Sequence, residues 1–335
     1  MTALPGAPGS APSVQPDGLS ERPAVGAIQG RSLGQIAWRR LKRDKLALAG
    51  GAFIIFLLLV ASLAGPITSW YGHGPFAFNS NLIDANLGTP RGGFGGVSWS
   101  HWFGVEPING RDLFARIVYG ARVSMIIAFL ATGVSVVIGT VIGMAAGYFG
   151  GWLDALLSRL MDLLLAFPLL LFAIALVAVL GDYKAPLLSQ DNTRVGLLVV
   201  IIGFFNWPYI GRIIRGQTLS LREKEYVEAA RSLGAGPGRI LFREVLPNLV
   251  GPILVYSTLI VPTNILFEAA LSFLGVGVRI PNPSWGGMLS DAAQGYFQID
   301  PMFMVVPGLA LFITVLAFNL FGDGLRDALD PRSSS

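Results

Sequence analysis

The residues whose types could do chemistry are few, and they stand out against an apolar background. Glu228 precedes an alanine pair, Ala229 and Ala230, in the stretch EYVEAARSLGAG. Arg159, Asp162 and Glu268 sit inside long apolar runs. An ionisable group surrounded by hydrocarbon is costly, so it pairs, hydrogen-bonds or serves a pathway. Arg159 and Asp162 are three residues apart, the spacing of neighbours on one helix face, and mutual pairing or a gating role follows. Glu268 is a lone acid, suited to hydrogen bonding within a helix bundle or to an outer gate. The Glu228 segment offers a different chemistry, mechanical rather than covalent. Tyr226, Ala229, Ala230 and Leu233 fall at i, i+3, i+4 and i+7 of a short helix over 221–233, and Gly234 can end it in a left-handed conformation. Small alanines on such a stripe let the helix backbone approach a groove closely, so the segment suits docking against a partner protein.

Covalent chemistry is poorly served. The chain has no cysteine and two histidines, which excludes disulfides, thiolate metal sites and cysteine nucleophiles. His73 and His101 share one polar stretch, where a metal site is not expected. No histidine lies in an apolar run, and Ser272 has no evident base beside it, against an intramembrane serine protease. The glycine-rich GAGPGR lacks the Lys-Ser/Thr pair of a phosphate-binding loop and reads as a helix stop and turn. The chain is therefore not expected to hydrolyse ATP, to need a cofactor or to hold a metal.

The elements around these residues are membrane elements. Hydrophobic residues make up 53% of 335, charged residues only 13%, and mean hydropathy is +0.61. Six apolar runs of spanning length lie at about 46–65, 122–147, 153–180, 195–214, 250–274 and 302–322. Gly139, Gly143 and Gly147 repeat every fourth residue in the second run and mark a close helix–helix contact. Pro168, Pro208 and Pro262 predict kinks in the third, fourth and fifth. Residues 1–30 are rich in Pro, Gly, Ala and Ser and read as a disordered tail, not a secretory signal. The pI near 9.5 reflects loop orientation rather than nucleic-acid binding. Sixteen of the 24 basic residues fall before the first run, around the polar block after the fourth or in the tail, against seven in the other loops. That bias puts both termini and the Glu228 segment in the cytoplasm.

The residues also carry a resemblance. EAARSLG followed by LPN resembles the EAA loop of permease subunits of bacterial ABC importers, the matched positions being Glu228, Ala229, Ala230, Gly234, Leu246 and Pro247. FGVEPINGRDLFARIVYGARVS, FEAALSFLGVG, PSWGGMLSDA and AFNLFGDGLRDALDP resemble, in order, motifs of the dipeptide/oligopeptide/nickel permeases, specifically the C-type second subunit. Two departures are visible. Glu244 stands where an aliphatic usually precedes Leu-Pro, and GVEP replaces the usual Gly-Thr-Asp with one extra residue.

The resemblance implies an all-α membrane protein with six transmembrane helices of the type I ABC importer permease kind and a cytoplasmic coupling helix. It implies a disordered cytoplasmic tail over 1–30, a basic lead-in and first span over 31–66, and an extracytoplasmic loop over 67–112. A permease core over 113–325 carries the EAA loop at 215–248, and a cytoplasmic tail covers 326–335. The expected function is half of the pathway of an ATP-driven importer of dipeptides or oligopeptides in the bacterial plasma membrane. The implied partners are a homologous second permease subunit, two cytosolic ATPase subunits, an extracytoplasmic substrate-binding protein and membrane lipid, with no nucleic acid. Two alternatives stay open: the same importer class carrying nickel or another small solute, and an ATP-independent channel.

Overall fold

The structure, a computed structural model, describes residues 33–181, 189–298 and 300–329. The tail expectation for residues 1–30 and the last residues of the 326–335 tail lie outside the described part. Twelve named α-helices run through it, and among the described residues the only β-type pairings are two isolated bridges, Ile83 with Pro90 and Val105 with Asp112.

α1, Leu33–Leu41, is a short amphipathic helix with Arg39 and Arg40 in its last turn. Asp44 then opens α2, Lys45–Ser62, accepting hydrogen bonds from the amides of Leu46 and Ala47 at 2.9 and 3.0 Å. Such a cap satisfies amides that a new helix leaves orphaned. α3, Ala64–Tyr71, continues from α2 after Leu63 and stops at Gly72.

α4, Leu113–Phe149, is 37 residues long and begins well before the apolar run expected at 122. Asp112 caps it through the Ala115 amide at 2.8 Å, so the lead-in GRDLFARIVYGAR is helical from Leu113 onward. The third apolar run is not one helix. α5, Gly151–Ala166, and α6, Leu169–Leu180, are bent by 83° at Phe167–Pro168. Pro168 lacks the N–H an unbroken helix would need there. By contrast, Pro208 lies inside the continuous α7, Gln190–Leu221.

α8, Glu225–Ser232, and the three-residue α9, Pro237–Arg239, form the polar block. A π-helical turn over Ile240–Val245 feeds α10, Leu246–Phe273, which keeps Pro252 and Pro262 within it. α11, Trp285–Ala293, is short, and α12, Met302–Leu329, closes the bundle. Five helices are long and apolar enough to cross a membrane, and the bent α5–α6 pair makes six.

Packing places α4 at the centre. Its Ile127 and Ala131 join Leu198, Ile202 and Phe205 of α7 and Ala173 of α6 in one buried cluster. Its Ala121, Met125 and Ala128 join α2, α10, α11 and α12 in another. The residues before α4 are folded rather than loose. His101 Nδ1 lies 2.7 Å from Asp112 Oδ2, and the Tyr71 hydroxyl donates to the same oxygen at 3.1 Å. His73 stacks on His101 with ring centroids 4.4 Å apart.

Candidate functional site

The polar block packs on the core of the bundle chiefly through Val227, with Ala230 and Ala235 against the same cluster. Val227 is fully buried in a cluster with Ile214 of α7, Met144 of α4, Ile240 and Val245 of the turn leading into α10, and Leu249 of α10. The rest of α8 faces outward. Tyr226, Glu228 and Ala229 are exposed, Leu233 beyond its end is 88% exposed, and Ala230 is half-buried. Three of the four stripe residues thus point away from the bundle, and Val227 is the residue the stripe analysis missed. Its signal was present: Val227 and Ala230 are three apart and share a helix face.

The helix is shorter than the expected 221–233. Leu221 belongs to α7, and Arg222 and Glu223 lie in the connection to α8. Arg222 donates to the Gly147 carbonyl at the end of α4, at 3.1 Å, pinning that connection. Glu225 and Glu228 lie in the first turn of α8 and Arg231 in the last, each favourable to the helix dipole. Gly234 has φ +81°, and the Ala235 amide donates back to the Ala230 carbonyl at 3.0 Å, a glycine-dependent helix stop. Leu246 is half-buried and Pro247 exposed at the first turn of α10. Glu244, the departure from the motif, sits beside Tyr226, whose hydroxyl is held above its ordinary pKa by partial burial and then by that carboxylate.

The glycine series forms the seam between α4 and α7. A Cβ on Gly139 would lie 2.8 Å from the Trp207 carbonyl, one on Gly143 2.5 Å from that of Gly211, and one on Gly147 2.7 Å from Thr218 Cβ. Backbones this close leave no room for side chains and draw dispersion from the whole seam.

The charges within the spans pair differently from the expected Arg159–Asp162 couple. Asp162 pairs with Arg212 of α7, and Asp154 holds Arg215 through two hydrogen bonds, the second at 2.7 Å. Arg159 is exposed on α5 and takes no part in the Asp162 pair. The reason is geometric: α7 lies across the face of α5 that carries Asp154 and Asp162, so partners 50 and 61 residues away are nearer than one along the same helix.

Glu268 is completely buried. Ser124 of α4 donates to its Oε2 at 2.8 Å and Ser272 to its Oε1 at 2.7 Å. Ser272 therefore has a partner after all, an acid rather than a base. Next to it, Asn206 donates to Asn264 at 2.8 Å and Asn264 to Thr132 at 2.8 Å, a polar ladder across α7, α10 and α4 that sequence periodicity did not reveal. At the N-terminal end of α4, Glu106 meets Arg111 and lies 2.8 Å from Arg116 Nε, all three buried. Glu106 is the acid of the GVEP stretch, and it lies between both arginines. Among the described residues no group of three or more His, Asp or Glu is arranged to hold a metal.

The chain is thus a bundle of membrane-crossing helices that meet along a glycine seam and carry one small, largely exposed helix. The fold matches a chain of the MetNI methionine ABC transporter in inward-facing conformations, with a TM-score of 0.50 and 18% identity, over 65% of this chain and 98% of that one. The chain belongs to the family of binding-protein-dependent transport system inner membrane components, whose model matches residues 139–335. Residues 32–87 match the N-terminal TM domain of oligopeptide transport permease C. The dipeptide transport system permease protein DppC of Alkalihalophilus pseudofirmus is 42% identical over 299 residues, 89% of this chain and 90% of that protein. The glutathione transport system permease protein GsiD of Escherichia coli is 40% identical over 314 residues, 94% of this chain and 95% of that protein. The protein is thus a multi-pass membrane permease subunit of an ABC importer.

Proposed function

We propose that this permease carries dipeptides or short oligopeptides, forming half of a pathway whose other half is a homologous permease subunit. Two relatives of 40% identity or more over nearly their whole length are named for a dipeptide and for glutathione, itself a small peptide, and they support that cargo. A substrate-binding protein delivers the peptide outside the plasma membrane, and two ATPase subunits act inside it. Both termini and the 215–248 loop are cytoplasmic, the extended 67–112 segment is outside, and 113–325 is the transport core. The distribution of arginine and lysine supports this orientation.

The observation that carries the mechanism is the exposure of α8 on its Val227 peg. A helix with one fully buried side chain, with Ala229 and Tyr226 outward, can seat in a cleft of an ATPase subunit and move with it. Arg222 joins its approach to the end of α4, so displacement of α8 is passed to the α4–α7 seam. ATP drives the cycle only by binding the two permease states with different affinity. Hydrolysis belongs to the partner subunits.

The test is uptake of labelled dialanine into proteoliposomes holding the complete importer with its binding protein. ATP-dependent accumulation is expected. Uptake of nickel in place of dialanine supports the other cargo, and dialanine flux without ATP supports a channel.

A further inference from the structure

α2 and α4 pack against each other without closing along their whole length. A groove of about 430 Å³ lies between them. Its wall is Leu58, Ala61 and Ser62 of α2 and Arg122, Met125, Ile126, Phe129 and Leu130 of α4. The α4 residues fall at i, i+3, i+4, i+7 and i+8, a single helix face. Ala61 and Met125 are buried at its floor, and Ile126, Phe129 and Leu130 remain exposed. The Phe129 ring stands edge-on to Phe318 of α12, with centroids 5.9 Å apart.

Both polar groups sit at one end of the groove. Arg122 is the last charged residue of α4, since residues 123–149 carry none. Ser62 is the last residue of α2, and its hydroxyl donates to the Leu58 carbonyl at 2.7 Å, leaving the oxygen able to accept. From Arg122 to Leu130 α4 rises about 12 Å. Half of a bilayer's hydrocarbon core is about 15 Å deep. The groove therefore starts where uncharged helix begins and descends through most of one leaflet.

Arg122 is exposed and forms no ion pair among the described residues. Its other side borders a polar hollow, also of about 430 Å³, which shares Arg122 and Ile126 with the groove. Arg194 and Arg279 line that hollow but are engaged elsewhere, Arg194 by donating to the carbonyls of Gly277 and Val276. Asp191 lines the hollow and not the groove. A guanidinium between a polar hollow and an apolar groove suits a molecule with an anionic head and a hydrocarbon tail. A protein helix laid here would have to bring an acid to the hydrocarbon edge to match Arg122. A phospholipid of the surrounding bilayer already carries its phosphate at that depth.

We propose that this groove holds an anionic phospholipid, its phosphate on Arg122 and one acyl chain between α2 and α4. The lipid fills the gap between the first span and the central helix, and its binding is independent of which cargo the permease carries.

The experiment is photolabelling of the complete importer in phosphatidylcholine nanodiscs. Trace phosphatidylglycerol, phosphatidylcholine or diacylglycerol is added, each with the same diazirine-bearing acyl chain, and labelled peptides are mapped by mass spectrometry. Phosphatidylglycerol labels residues 122–130 about fivefold more than either other lipid, the effect of one basic side chain on an anionic headgroup. Arg122→Gln removes that preference and Arg122→Lys keeps it. Ile126→Trp, at an exposed position, fills the groove and lowers labelling by all three lipids. The three-lipid comparison uses the unaltered chain, so it stands whether or not a variant assembles. The site is refuted if the three lipids label 122–130 alike, or if Arg122→Gln keeps the preference. It is refuted equally if α4 takes no label and a benzophenone attached to Ile126→Cys joins the second permease subunit instead, because protein then covers the groove.

Discussion

Gly143 of α4 and the carbonyl of Gly211 in α7 approach so closely that a Cβ on Gly143 would stand 2.5 Å from that oxygen. Backbone, not a flexible side chain, is the obstacle, so nothing can turn aside. Gly143→Val must push α4 and α7 apart along the seam that Gly139 and Gly147 continue. Overpacking of this kind costs about 1–3 kcal/mol. The thermal midpoint of the purified importer falls accordingly, and Gly133→Val, where a Cβ meets nothing within 4 Å, serves as the control.

The coupling helix fails in two distinguishable ways. Glu228 is exposed, so Glu228→Lys leaves the fold intact and reverses a charge on the outward face. Gly234, at φ +81°, tolerates no proline. Both substitutions abolish ATP-dependent uptake while the protein remains in the membrane fraction. Val227→Asp is expected to do more, because it buries an unpaired charge in the peg and releases the helix. Limited proteolysis then cuts near residue 230 in Val227→Asp but not in Glu228→Lys.

The two ion pairs on α5 differ in worth. The side chains of Asp162 and Arg212 are each more than half exposed, whereas Asp154 and Arg215 are 18% and 30% exposed and doubly bonded. A double-mutant cycle on thermal stability gives a coupling below about 1 kcal/mol for Asp162–Arg212, as for exposed pairs generally. The Asp154–Arg215 cycle gives the larger value. Arg159→Gln shows no coupling to Asp162→Asn.

Glu268 is held by two serine hydroxyls. Glu268→Gln keeps an acceptor for one of them and nearly the same volume. Glu268→Leu leaves both hydroxyls buried without that partner, each costing about 1–3 kcal/mol. The leucine variant therefore melts well below the glutamine variant in detergent. Equal midpoints would show that the carboxylate cage contributes nothing to the fold.

Asp300, just before α12, is 2% exposed, and neither carboxylate oxygen has a hydrogen-bond partner of good geometry. Burial raises its pKa above the ordinary 3.8, and the nearby amides of Met302 and Phe303 offset part of this. The folded chain thus keeps the proton to higher pH than the unfolded chain. No penalty exists below the ordinary value. It grows as pH rises from there and is complete above the raised one. Asp300→Asn, neutral and nearly isosteric, is expected to raise the thermal midpoint at pH 7 and to change it less near pH 3.5, where the native acid is largely protonated in both states.

The sequence alone determined the class of the fold, because spanning length and hydrocarbon character are properties of consecutive residues. Six apolar runs, the Gly139–Gly143–Gly147 repeat and the helix stop at Gly234 were all readable from local pattern. Local pattern also isolated Tyr226, Glu228 and the alanine pair. Tertiary structure decided what lies between elements. It broke the third run at Pro168 while leaving Pro208 within a helix, since neighbours that pack around a proline determine whether it bends. It gave Asp162 to Arg212 rather than Arg159, gave Ser272 to Glu268, and folded His73, His101 and Asp112 into one cluster. Apart from Ser272–Glu268, which lie four apart on one helix, those contacts join residues whose separation along the chain carries no periodic signal. The choice among partners is made by distance in space, and a one-dimensional pattern does not contain it.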